Sequence, residues 1–160
     1  MIHPDVKYPS ENPGHDRQIE QAEYLNGVLW GDPNHRLDED SRRDVSREID
    51  QYGTCSRHFW RGVLDVWGSI GIYEAKGYSY PRVQLNGSYS FLHKFLAFLL
   101  ETWPTLDPEG KLHFQCGGGR LLFSGTVARD IIVLLYGDAG IALTTNQQKA
   151  DFAITWTPRR

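Results

Sequence analysis

Apolar positions along this chain follow two rhythms, one helical and one strictly alternating. Ile19, Ala22, Leu25, Val28 and Leu29 recur three or four residues apart, which predicts a helix over residues 18–30. Ahead of it, Pro4, Pro9, Pro13 and Gly14 stand among polar residues and predict an extended or disordered lead-in over 1–17. Gly31-Asp32-Pro33-Asn34 reads as a turn. A second helix, capped by Asp40 or Ser41 and ended at Gly53, is polar on most of its surface. An apolar helix then runs from about Ser56 to Val66 with Gly62 inside it. A mid-helix glycine costs about 1 kcal/mol against alanine, so it has a packing reason such as another backbone close by.

After Gly68 the period shortens to two. Ser69–Glu74 and Pro81–Asn86 form a predicted hairpin around Gly77. Ser88 or Ser90 caps a helix whose core side is Phe91, Leu92, Phe95, Leu96, Phe98 and Leu99. Pro104, Asp107, Pro108 and Gly110 mark a loop. A second hairpin pairs Lys111–Cys116 with Arg120–Ser124 through a Gly117-Gly118-Gly119 tip. Helices over Val127–Tyr136 and Thr145–Ile154 close the chain. The order from Ser56 is αββαββα with a tail helix, an α+β domain of antiparallel pairs.

Alternation also sorts the strand residues by face. Ile70, Ile72, Val83, Leu85, Leu112, Phe114, Leu121 and Phe123 belong to the core side. Ser69, Gly71, Tyr73, Arg82, Gln84 and Asn86 face away, as do Lys111, His113, Gln115, Arg120, Leu122 and Ser124. None of these twelve outward residues is an acid; Glu74 is the nearest carboxylate, at a strand end. A wet sheet face is polar in any case. Arginine with guanine, and asparagine or glutamine with adenine, are the pairings that read base edges, and a β-ribbon fits the major groove. The acid-free face therefore favours nucleic acid over plain solvent.

Charge sharpens this picture. The chain is 160 residues long with a net charge of −3. Residues 1–50 hold 6 basic and 12 acidic side chains, net −6, while 51–160 hold 11 and 8, net +3. The expected organisation is a lead-in over 1–17, an acidic helical arm over 18–55 and a mildly basic body over 56–160. Apolar residues make up 40%, enough for a folded core. No apolar run suits a membrane span and no leader is visible, so the expected location is cytoplasmic. Cys55 and Cys116 do not make a disulfide framework. Cys55 with His58, and His113 with Cys116, have zinc-like spacing, but His113 and Cys116 fall on opposite strand faces. The glycine triplet lacks the Lys-Ser/Thr of a phosphate loop.

Three segments together resemble one repeat of the LAGLIDADG homing endonucleases. They are Phe59-Trp60-Arg61-Gly62-Val63-Leu64-Asp65 running into Gly68-Ser69-Ile70, then Tyr80 to Ser88, then Ile131 to Asp138. The tail from Ile141 to Asp151 is similar to the family's last helix. The resemblance implies a saddle-shaped antiparallel sheet lying on double-stranded DNA, with a mobile genetic element as origin. It also implies a homodimer, or a two-repeat pseudo-dimer, with the motif helices meeting through Phe59, Gly62, Val63 and Val66. Active members place two acids at the end of the motif, the second helping to bind Mg²⁺ for phosphodiester hydrolysis. Here Asp65 matches the first acid, the remaining candidate for a catalytic carboxylate, and Trp67 replaces the second. Indole cannot ligate Mg²⁺. The expectation is thus a degenerate family member that binds DNA through Ser69, Tyr73, Arg82, Gln84, Asn86, Lys111, His113, Gln115, Arg120 and Ser124, without a cofactor. The alternatives are a Mg²⁺-dependent double-strand endonuclease and a protein-interaction module built on the aromatic helix surface. Val28-Leu29-Trp30-Gly31-Asp32, followed by Leu37, spaces like Leu134-Leu135-Tyr136-Gly137-Asp138 followed by Leu143, which reads as the end of a lost first repeat.

Overall fold

The computed structural model describes residues 13–30, 56–106, 112–115 and 118–159. The expected polar helix after Asp40, the Lys111 position, Cys55 and Cys116 lie outside the described residues. The elements in order are α1 (Pro13–Trp30), α2 (Arg57–Trp67), β1 (Gly68–Ala75), β2 (Tyr78–Gly87), α3 (Tyr89–Thr102), β3 (Leu112–Gln115), β4 (Gly118–Ser124), α4 (Gly125–Tyr136) and α5 (Thr144–Thr155).

Local chemistry accounts for the boundaries. α1 begins at Pro13 rather than Gln18, so residues 13–17 are helical and not a lead-in. Proline suits a first helical position, where its missing N–H would have had no intrahelical acceptor. Ser56 caps α2: its Oγ accepts from the Phe59 N–H at 3.3 Å. Ser88 does the same for α3 through the Phe91 N–H at 3.4 Å. The β1–β2 hairpin closes on two residues, Lys76 and Gly77, with φ of 52° and 76°. Positive φ at both central positions matches the right-handed strand twist, and glycine bears it without strain. Gly118 and Gly119 are strand residues paired with Gln115 and Phe114, not a loose tip.

The four strands form one antiparallel sheet in the order β1-β2-β4-β3. Helices pack on one of its faces. Ile70, Val83, Leu85, Leu121 and Phe123 are buried there with Leu92, Phe95, Leu96, Phe98 and Leu99 of α3 and Ile131, Ile132 and Leu135 of α4. Trp60 sits at the middle of this core, its ring 5.1 Å from Phe59, 5.4 Å from Phe91 and 4.9 Å from Phe95. The architecture is α+β. Among the described residues no helix is long and apolar enough to cross a membrane.

Candidate nucleic-acid interface

Strand pairing turns the outward residues into a grid. Arg82 stands between Gly71 of β1 and Ser124 of β4. Gln84 stands between Ser69 and Leu122. Asn86 pairs with Arg120, which pairs in turn with His113 of β3. Ser69, Asn86, His113 and Ser124 are exposed; Arg82, Gln84 and Arg120 are half-buried. Gln115 belongs to β3, but its side chain, like Lys111, lies outside what is described. Glu74, the only acid in the described strands, shares the parity of Ile70 and Ile72 and accepts from Ser79 Oγ at 3.4 Å. The described part of the open face carries no carboxylate.

Two of its polar atoms are unusual. The Nε of Arg82 and the Nε of Arg120 are buried with no hydrogen-bond partner among the described residues. Most buried polar atoms are satisfied, so each exception needs an explanation. The Arg82 guanidinium lies 4.4 Å from the centroid of the Tyr73 ring, a cation–π contact that holds the side chain against the sheet. Tyr73 in turn stacks on Tyr80 at 6.4 Å. Gln84 Nε2 donates to Asn86 Oδ1 at 3.3 Å, which fixes both amides in one row. At the hairpin end, Trp156 Nε1 donates to the Ser79 carbonyl at 2.7 Å. That bond leads the chain after α5 to Tyr78, where the Arg159 guanidinium lies 5.1 Å from the ring. The result is a surface of held cations and amides, suited to anionic, hydrogen-bonding ligands.

The motif helix is used differently. Phe59, Gly62 and Val63, expected to face a second copy, are buried within this chain, and the backbone at Phe59 and Gly62 lies against α1. A Cβ on Gly62 would run into the Tyr24 carbonyl, and a Cβ on Gly27 would run into the Phe59 carbonyl. Only Val66 of the expected dimer set is exposed, at 43%. Trp67 lies across α1, its Nε1–H donating to the Val28 carbonyl at 3.3 Å.

Asp65 is 7% exposed and takes four hydrogen bonds. Its Oδ2 accepts from the Tyr24 hydroxyl at 2.7 Å and the Leu143 N–H at 2.8 Å. Its Oδ1 accepts from the Tyr136 hydroxyl at 2.7 Å and Asn146 Nδ2 at 2.8 Å. The carboxylate thereby ties α1, α4 and the N-terminal end of α5 to α2, where the α5 dipole also favours its charge. Burial, with the Asp65 bond and charge, pushes the Tyr24 and Tyr136 hydroxyls well above their ordinary range, so both stay donors. In this geometry each Asp65 oxygen, expected as a doubtful catalytic carboxylate, already accepts from two donors of the fold.

One helical turn earlier, Arg61 is wholly buried. Its Nη2 donates to Glu20 Oε1 at 2.6 Å, Nη1 to the Leu135 carbonyl at 2.9 Å and Nε to the Ile141 carbonyl at 2.7 Å. Arg61 Nη2 also donates to His58 Nδ1 at 3.1 Å, so that nitrogen carries a lone pair. Burial first, and the Arg61 charge second, hold His58 down at about 4.

The hydrophobic spacing missed a signal in α1. Tyr24-x-x-Gly27-Val28-Leu29 and Phe59-x-x-Gly62-Val63-Leu64 match at an offset of 35 residues. Each glycine meets the aromatic residue's carbonyl three positions before the other glycine. α1 thus matches α2 in sequence as well as the end of α4. The same offset carries Trp67 onto Asp32, which lies outside the described residues. No protein-family model matches this sequence, and no curated protein is similar to it. Among the described residues no three His, Cys, Asp or Glu side chains cluster as metal ligands.

Proposed function

We propose that this chain is a LAGLIDADG-type protein that binds double-stranded DNA on the open face of its sheet and has lost metal-dependent cleavage. The observation that carries the reading is the pair of guanidiniums, Arg82 and Arg120, held half-buried on a face whose described part has no carboxylate. Guanidiniums presented on such a face pair with phosphate oxygens or guanine edges. Gln84 and Asn86, between them, match adenine. The order αββαββα and the β1-β2-β4-β3 sheet support the family reading. Loss of cleavage is supported by Asp65, whose two oxygens each hold two donors, and by Trp67 in place of the second acid.

The deciding experiment is duplex-library binding at several salt concentrations, run beside a Mg²⁺ cleavage assay. The expected result is an affinity that falls as salt rises, through release of counterions from phosphate, with no product strands. Binding indifferent to salt overturns the DNA reading. Mg²⁺-dependent cutting abolished by Asp32→Asn would replace it with the nuclease reading. The helix offset motivates that variant, since it places Asp32 in register with Trp67.

A further inference from the structure

We infer that the free end of the β1–β2 hairpin is a second nucleic-acid site, a tyrosine platform on which unpaired bases of single-stranded DNA stack. The site goes beyond the duplex reading and stands without it. A ring needs the face of a base, and a duplex hides base faces inside its own stack.

Among the described residues, β4 pairs with β2 only from Arg82 to Gly87. Beyond Arg82 the hairpin continues as a two-stranded ribbon, residues 72–75 against 78–81. In its register Gly71 is opposite Arg82, Tyr73 opposite Tyr80 and Ala75 opposite Tyr78. Directly opposed residues share a face, and faces alternate along each strand. Tyr73, Tyr78 and Tyr80 therefore stand on the open side with Arg82. Ile72, Glu74, Ser79 and Pro81 take the other side.

The rings are held and still open. A Cβ on Gly71 would come within 2.9 Å of Tyr73 Cε2, so the Tyr73 ring lies over the space that glycine leaves. Tyr80 stacks on Tyr73 with 29° between the ring planes, and the Arg82 guanidinium lies 4.4 Å from the Tyr73 centroid. Trp156 fixes the chain after α5 to the Ser79 carbonyl, and Arg159 then reaches the Tyr78 ring at 5.1 Å. The two-residue turn at Lys76 and Gly77 sets the register of the whole ribbon. Despite these contacts Tyr73 keeps 39% of its surface exposed and Tyr78 keeps 52%. Rigid rings half in water offer stacking area at little cost in side-chain entropy.

Charge selects the occupant. Arg82, Arg159 and Lys76 surround the rings, and Glu74, the ribbon's one acid, lies on the opposite side with Ser79. Sequence-tolerant sites for single strands combine these two parts, aromatic rings for the bases and cations that follow the phosphates. A proline-rich peptide would also lie on tyrosines, but it would gain nothing from the three cations.

Fluorescence anisotropy on the full chain tests this, with a labelled oligothymidylate of about 12 nucleotides, within the span such sites occupy, beside a blunt duplex. The oligothymidylate should bind, and bind less as salt rises. Tyr73→Leu and Tyr78→Leu should each weaken it about ten-fold, while Tyr73→Phe and Tyr78→Phe, which keep the ring, stay within about two-fold of wild type. Tyr78→Leu should leave blunt-duplex affinity within about two-fold, since a duplex offers the ring no base face. Urea midpoints show which variants are folded, and the exposed Tyr78 pair decides the matter if Tyr73→Leu is not. Absence of oligothymidylate binding overturns the inference, as does binding indifferent to salt. Equal losses in the Leu and Phe variants overturn it too, because the hydroxyl and not the ring would then be in use. So does a Leu variant that loses nothing. Wild type that binds oligothymidylate but no duplex defeats the proposed function and leaves the platform standing; the reverse result defeats the platform alone.

Discussion

The helix seam and the open sheet face use the same kinds of polar side chain in opposite ways. In the seam every donor of the buried Arg61 guanidinium that is described has an acceptor, and Asp65 has four donors. On the sheet, Arg82 and Arg120 each keep a buried Nε without one. The seam polar groups are internally complete, so disturbing them should cost stability. Those on the sheet are incomplete, so disturbing them should cost binding. Variants that separate stability from affinity test this division directly.

Asp65→Ala should have the largest effect. It strands two tyrosine hydroxyls, one amide and one backbone N–H in a buried site, and loss of buried charged-group hydrogen bonds costs about 4 kcal/mol in total. Urea denaturation at neutral pH reads it as a lowered midpoint with an unchanged slope. Stability unaffected by Asp65→Ala would show that the carboxylate is not the tie described here.

Next comes His58, whose effect depends on pH. It lies between Arg61 and Glu20, with Arg57 and Asp138 beyond, and the folded state holds it at about 4. In the unfolded chain the imidazole titrates near 6.5. A depressed base means that the unfolded state takes up the proton first as pH falls. Its contribution is therefore unchanged above about 6.5 and is lost progressively toward about 4, by about 2 kcal/mol after allowance for its partial exposure. The difference in unfolding free energy between wild type and His58→Gln should shrink over that window. A difference constant from pH 7 to pH 4.5 would remove the charge argument.

Gly27→Ala and Gly62→Ala should each cost about 2 kcal/mol, because overpacking against a backbone carbonyl outweighs the roughly 1 kcal/mol gained in helix propensity. Val66→Ala, at the exposed edge of the same helix, should change stability by less than about 0.5 kcal/mol. The thermal midpoint of all three should be independent of protein concentration, as for a seam within one chain.

Legibility in the sequence divides along the same line. Alternation of period two assigns Ile70, Val83, Leu85, Leu121 and Phe123 to the core and Arg82, Gln84 and Asn86 to the open face, as the sheet has them. Strand periodicity needs only local residues, and the pleat carries the information. The seam was much less legible. Gly62 signals a close backbone but not whose backbone it is, since a glycine has no side chain to specify a partner. Tyr24, Glu20 and Asn146 become the partners of Asp65 and Arg61 only through contacts 41 and 81 residues apart. From sequence, a carboxylate at a helix end such as Asp65 is equally good at binding metal and at collecting hydrogen bonds. Only its neighbours distinguish the two.

The smallest stability effect belongs to the variants with the clearest functional one. Arg82→Ala and Arg120→Ala remove guanidiniums that hold no described hydrogen bond through Nε, so folding should change by less than about 0.5 kcal/mol. Arg82 loses in addition its contact with Tyr73, which at a half-exposed site is worth about 0.5 kcal/mol and sets the upper end of that range. Duplex affinity should fall about ten-fold for each variant, the lower part of the range for an arginine that reads a base or holds a phosphate. Salt dependence then separates the two roles. A phosphate contact lowers the slope of log affinity against log salt by about 1 when removed, and weakens all sequences alike. A base contact leaves the slope and relaxes preference at one position of the selected site. Arg82 and Arg120 lie about 13 Å apart along the strands, from the four-residue step between Arg82 and the Arg120 partner Asn86, so any relaxed positions should be separated by several base pairs rather than adjacent. Relaxation at one shared position would mean that the two side chains converge on a single ligand group, and that the sheet does not lie along the groove.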